Sequence, residues 1–172
     1  MKSDSSYISA QKSAELKKEA LRLAIVVVTG LILPSLVHLI PSKTPLGPVL
    51  MPLFIPVAIA AYCLPLRSAL AAAAMLPLVS MSLTGMPPAP IAVQMIVEGF
   101  VFVGVASITS ARTRWFFSYL LSAFASRAVG LAYLAAFTGA PLASSATTIA
   151  LGWLGLGIAA VALPVLFKAF RF

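Results

Sequence analysis

The chain has 172 residues, 61% hydrophobic and 9% charged, with a mean hydropathy of +1.06 and a net charge of +8. A soluble domain carries about 25% charged residues, so this composition excludes a soluble globular protein and points to an integral membrane protein. The bases cluster at the ends of apolar runs, which makes their excess a signal of membrane orientation and not of nucleic-acid binding.

Cys63 is the single cysteine, so no intramolecular disulfide and no cysteine-rich metal site can form. Histidine occurs once, at His38. No GxGxxG, Walker loop, HExxH or Ser/His/Asp constellation is present. The polar inventory is too small for a catalytic constellation, so the chain reads as a non-enzyme with no cofactor of its own. Any ATP-driven work must then belong to another polypeptide.

Residues 1–19 are polar or amphipathic and lack the apolar core and cleavage site of a signal peptide. They read as a cytoplasmic extension, with residues 1–9 polar and mobile. From Ala10 onward strong helix formers follow without a breaker. Leu16, Ala20 and Leu23 share one face, giving an interfacial lead-in to the membrane domain, residues 20–172.

Six spans are expected in that domain. Span 1 covers residues 20–40, with Pro34 kinking its outer end. A short loop carrying Lys43 leads to span 2, residues 48–64, which Pro52 and Pro56 should interrupt. Span 3, residues 68–83, is short, contains Pro77, and presents the small face Ala71-Ala72-Ala73-Ala74. Span 4 covers residues 90–111 and span 5 residues 115–137. After a small, polar loop, span 6 covers residues 147–167.

Six spans place both termini on one side of the membrane. That side collects Lys2, Lys12, Lys17, Lys18, Arg22, Arg67, Arg112, Arg114, Lys168 and Arg171, ten of the twelve basic residues. The other side holds Lys43 alone, and Arg127 lies within a span. By the positive-inside rule the fold is an all-α, six-helix membrane bundle with both termini cytoplasmic.

Glu98 is the only acidic residue beyond position 19. A carboxylate within an apolar span costs roughly 2.5–3.5 kcal/mol on insertion scales and marks function by default. At 1.5 Å per residue, Glu98 and Arg127 both lie about 18–20 Å above the inner boundary. They can form an ion pair between spans 4 and 5, line a polar pocket, or do both. Gln94 precedes Glu98 by four residues and shares its face. Tyr133 and Trp153, near the outer ends of spans 5 and 6, either face a pocket or belong to an aromatic belt. Met51 and Met86 complete the candidate substrate-binding set, while Phe54, Met81 and Met95 read as packing. Ala20 and Ala24 form a small-xxx-small pair at the inner end of span 1, suited to tight packing or to docking a partner helix.

The most specific stretch is Pro77-Leu78, Ser80, Leu83-Thr84-Gly85-Met86-Pro87-Pro88, Met95 and Glu98. Arg127-Ala128-Val129-Gly130-Leu131-Ala132-Tyr133, and Gly157-Ile158 with Leu163-Pro164 and Lys168, accompany it. With six short spans, this pattern resembles the S components of energy-coupling-factor vitamin transporters, in the subfamily of riboflavin, pantothenate and cobalamin binders. The resemblance covers about residues 20–168. It departs from the family at Met51, at Leu64-Pro65 and at Ala159-Ala160.

The resemblance implies a multi-pass protein of a prokaryotic cytoplasmic membrane. It would capture a vitamin or related micronutrient from outside, between the outer loops and the outer halves of spans 4–6. A transmembrane T component and two ATPase subunits would then drive delivery inward, with ATP used by those partners. Ala20 and Ala24 would form the docking face. Two other readings of the residues stand beside this one: a stand-alone small-molecule transporter, and a membrane scaffold or assembly protein.

Overall fold

The computed structural model describes residues 3–39, 41, 46–139, 146–147 and 150–170, with side chains from Ala10 to Val165 apart from those of His38, Leu46 and Pro48. Lys2, Lys43 and Arg171, the side chains of His38 and Lys168, and most of the loops at 41–47 and 138–146 lie outside that set. The described residues are helical without a strand: α1 (Ser3–His38), α2 (Leu46–Leu50), α3 (Phe54–Cys63), α4 (Leu66–Thr84), α5 (Ala89–Thr109), α6 (Trp115–Phe137) and α7 (Trp153–Phe170).

Four helices are long and apolar enough to cross a membrane, within Ala10–Val37, Leu66–Thr84, Ala89–Thr109 and Trp115–Phe137. They correspond to expected spans 1, 3, 4 and 5. Expected spans 2 and 6 appear as the shorter apolar helices α3 and α7. The chain is thus an all-helical membrane protein.

Three boundaries differ from the sequence reading, each for a physical reason. Helix α1 begins at Ser3, so the polar leader is continuous with span 1. Nothing between Ser3 and Pro34 breaks a helix, and Pro34 itself lies inside it. Span 2 is broken, not merely bent. Met51 takes φ 44°, and Pro52 has no N–H to continue the ladder. Pro56, by contrast, sits in the first turn of α3, where its missing N–H costs nothing. Span 6 carries a turn at Gly152, with helical residues on both sides of it.

The α4–α5 turn is tied down by its own side chains. Gly85 ends α4 in the left-handed region, φ 71°, with its N–H on the Met81 carbonyl at 2.9 Å. Ser80 Oγ donates to the Met86 carbonyl at 2.9 Å, and the Met86 N–H donates to Thr84 Oγ1 at 3.2 Å. Pro88 and Pro90 then flank the start of α5. Short turns make α4, α5 and α6 antiparallel neighbours. At the other end, Thr109 and Tyr62 meet Ser118, and Ser68 donates to Glu19. That end carries the exposed Arg67, Arg112 and Arg114.

Helix α3 has only ten residues and is the most central. It packs on α1, α4, α5 and α7. Phe54 and the run Pro56–Val57–Ala58–Ile59–Ala60 are all buried, as an all-round apolar helix requires. The Phe102 ring meets Phe54, Tyr119 and Tyr62 edge-on at 5.1, 5.6 and 6.4 Å. The periphery is apolar too: Leu21, Val28, Ile32, Phe117, Phe124 and Val161 are exposed. In a bilayer this surface meets lipid.

Candidate functional site

The buried face of α6 is small and polar: Ser118, Ser122, Ala123, Ser126 and Gly130. Small residues let helix backbones approach closely, and α5 and α6 form the most extensive helix pair. Ser122 and Ser126 return their hydroxyls to the Ser118 and Ala123 carbonyls at 2.7 and 3.0 Å, and the Ser118 hydroxyl meets those of Tyr62 and Thr109, so the serines add no unpaired group to the seam.

Arg127 projects from this seam and forms an ion pair with Glu98 of α5. Arg127 is 3% exposed and Glu98 fully buried. One guanidinium Nη2–H reaches Glu98 Oε2, and Gln94 Nε2 donates to Glu98 Oε1 at 2.7 Å. The common depth expected for Glu98 and Arg127, and the shared face expected for Gln94, are both realised. Glycine at 130 is what admits the carboxylate: a Cβ there would fall on it.

Helices α3 and α7 close the pair from the other side. The Arg127 guanidinium lies over the Phe54 ring, 5.1 Å from its centroid. Its Nη1 donates to Met51 Sδ at 3.1 Å, at the break between α2 and α3. Gly152 leaves room for the Met51 thioether, and Gly155 for the Leu50 carbonyl.

Two buried atoms of this cluster, Gln94 Oε1 and Arg127 Nε, have no hydrogen-bond partner among the described residues. Both belong to residues at most 5% exposed. Leaving such groups unmade costs about 1–3 kcal/mol each, so native sites retain them where a further partner matters.

The structure therefore brings Glu98, Arg127, Gln94 and Met51 together. Tyr133, Trp153 and Met86 lie elsewhere. Tyr133 stacks on Phe137 at 5.2 Å. Trp153 packs on Phe124 at 4.7 Å and lines an open apolar groove along α7 with Gly157, Ile158 and Val161. The Met86 side chain is exposed. Ala20 and Ala24 are exposed on α1, away from buried Val26 and Gly30.

Three glycines at the site, Gly130, Gly152 and Gly155, escaped the sequence reading, and Phe54, read as packing, also meets Arg127. Gly130 carried a usable signal, since it lies one turn beyond Arg127. The roles of Gly152 and Gly155 depend on the Met51 side chain and the Leu50 backbone, a hundred residues away in sequence, which no local pattern announces.

The pair is neutral overall and held in a low-dielectric interior, so it can orient a polar ligand without presenting net charge. Among the described residues no group of three or more His, Cys, Asp or Glu could hold a metal ion. No protein family model, curated protein sequence or solved structure matches the chain.

Proposed function

We propose that this chain is the substrate-binding S component of an energy-coupling-factor importer in a prokaryotic cytoplasmic membrane, with six crossings and both termini inside. It captures a vitamin or related micronutrient from outside. A T component and two ATPases then drive its release inward. Sequence resemblance suggests the class.

One observation carries the reading: a buried Glu98–Arg127–Gln94 cluster in an apolar bundle, with two hydrogen-bonding atoms still unpartnered. Polar groups at membrane depth are retained where a pathway or ligand needs them. Mass spectrometry of small molecules released from the detergent-purified, then denatured, protein tests it. A stoichiometric vitamin-like compound supports the proposal. An empty protein whose melting temperature is unmoved by a vitamin panel overturns it.

The scaffold reading has its own observation. Glu98 is fully paired by Arg127 and Gln94, as a purely structural bridge would be. A stable protein partner together with failure to bind any small molecule would establish that reading instead.

A further inference from the structure

A buried guanidinium offers five N–H donors. Among the described residues Arg127 has two side-chain acceptors, Glu98 on Nη2 and the Met51 thioether on Nη1, with nothing on Nε. A thioether is a weak acceptor. The guanidinium therefore holds one strong bond and one poor one, and its Nε–H has no acceptor among the described residues.

Met51 is itself in an unusual state. Its φ of 44° lies in the left-handed region, which disfavours a residue with a Cβ. The conformation is held at both ends: the Met51 N–H bonds the Gly47 carbonyl at 2.9 Å, and the Phe54 N–H bonds the Met51 carbonyl at 2.8 Å. Non-helical backbone at membrane depth is tolerated where protein buries it or where it lines a cavity. Here the break delivers a flexible, unbranched side chain onto Arg127 through the gap above Gly152.

We infer that Met51 is a displaceable plug: its thioether occupies the position on Arg127 that an uncharged amide-type carbonyl of the ligand takes. This rests on the proposal that the cluster is a substrate site, and it names the chemistry recognised there. Three features select the class. Arg127 needs a better acceptor than sulfur. Glu98 already neutralises Arg127, so a ligand carboxylate would be a second buried anion beside the first, which desolvation and repulsion oppose. Gln94 Oε1 still accepts, which suits a group bringing a donor as well, as a carboxamide, lactam or ureide does. Room comes from the methionine side chain itself as it swings away.

The test uses the full chain in detergent and three probes of one shape: benzamide, benzoate and toluene, with affinity read by calorimetric titration. Met51→Ala removes the plug, Met51→Leu keeps the bulk but not the acceptor, and Met51→Gln installs a permanent carbonyl in its place. Benzamide affinity should rise about tenfold in Met51→Ala and by a smaller factor in Met51→Leu. Benzoate and toluene should show no such gain. Met51→Gln should bind no benzamide and melt at a higher temperature than the unaltered protein.

Equal affinities for the three probes in a folded Met51→Ala or Met51→Leu protein would overturn the plug. So would benzamide binding retained in Met51→Gln. A released natural ligand that binds Met51→Ala and the unaltered chain alike would also defeat the plug while leaving the substrate-site proposal standing. That proposal fails on its own measurement, the empty and unshifted protein.

Discussion

The α5–α6 seam and the α2–α3 break meet at the same guanidinium but are built on opposite principles. The seam is two uninterrupted helices of 21 and 23 residues, held by small residues and by polar groups that pair across it. The break is five helical residues, a left-handed methionine, a proline and a ten-residue helix, held because Gly152 and Gly155 leave room for their atoms. The seam fixes Arg127, and the break supplies what touches its open side. Discontinuous helix ends beside polar groups are an arrangement that transporter substrate sites use.

The largest expected effect lies in the seam. Arg127→Ala leaves Glu98 buried without a counter-charge, at a cost of about 3–5 kcal/mol. Thermal unfolding should show a large drop, and ligand occupancy should vanish. The double variant Glu98→Gln with Arg127→Met removes both charges and should melt well above Arg127→Ala, because no lone ion is buried. If Arg127→Ala melts like the unaltered protein and binds as well, the pair has no role in fold or site.

Gly130→Ala comes next. Its Cβ would meet the Glu98 carboxylate, which two hydrogen bonds hold in place. Overpacking of this kind costs about 1–3 kcal/mol. Gly157 on α7 meets nothing within 4 Å, so Gly157→Ala is the matched control. It should be neutral or slightly stabilising, by up to about 1 kcal/mol, because alanine replaces glycine within a helix. Equal melting temperatures for the two variants would show that the seam is looser than its geometry.

The same contrast can be drawn inside the broken half. A Cβ at Gly155 would strike the Leu50 carbonyl, which is backbone, whereas one at Gly152 would strike the end of the Met51 side chain. Gly155→Ala should therefore cost about 1–3 kcal/mol, and Gly152→Ala clearly less, because a thioether can turn aside. Met51→Ala should relieve Gly152→Ala and leave Gly155→Ala unrelieved, a coupling that a double-mutant cycle reads directly. Equal costs at the two glycines would mean that Met51 is as immobile as backbone, which would count against its displacement.

How far the fold was legible follows the same division. The long helices were readable because each is set by local chemistry: apolar length and helix formers. Glu98, Arg127 and Gln94 were readable because charge at equal depth leaves few partners in an apolar interior. The break was half readable. Pro52 and Pro56 looked alike in sequence, yet only the first ends a helix, because Pro56 falls in the opening turn of the next. That Met51 would be left-handed, and would sit on Arg127, depends on Gly152 and Gly155, so it became visible only with the tertiary packing. Tyr133 and Trp153 stayed open between pocket and aromatic belt, because only their depth was readable. Depth does not fix the face of a helix, and both turn to aromatic neighbours on their own side.

The smallest expected effect on the folded chain concerns α1, which belongs to neither half. Its inward face carries Val26 and Gly30, the latter pressed against Leu76 and Pro56, whereas Ala20 and Ala24 lie on the exposed face beside Leu21, Ile25 and Val28. A large side chain there collides with nothing inside the bundle. Ala20→Trp and Ala24→Trp should leave the melting temperature and ligand occupancy of the purified protein unchanged. A small-residue pair on a helix can also admit the backbone of a partner helix, and tryptophan would close that approach. Uptake by cells carrying the whole importer should then fall while binding persists, a separation that no defect in the seam or the break can produce, since both act on the folded chain itself. Normal uptake by both variants would remove Ala20 and Ala24 from the docking face and leave them as ordinary lipid-facing alanines.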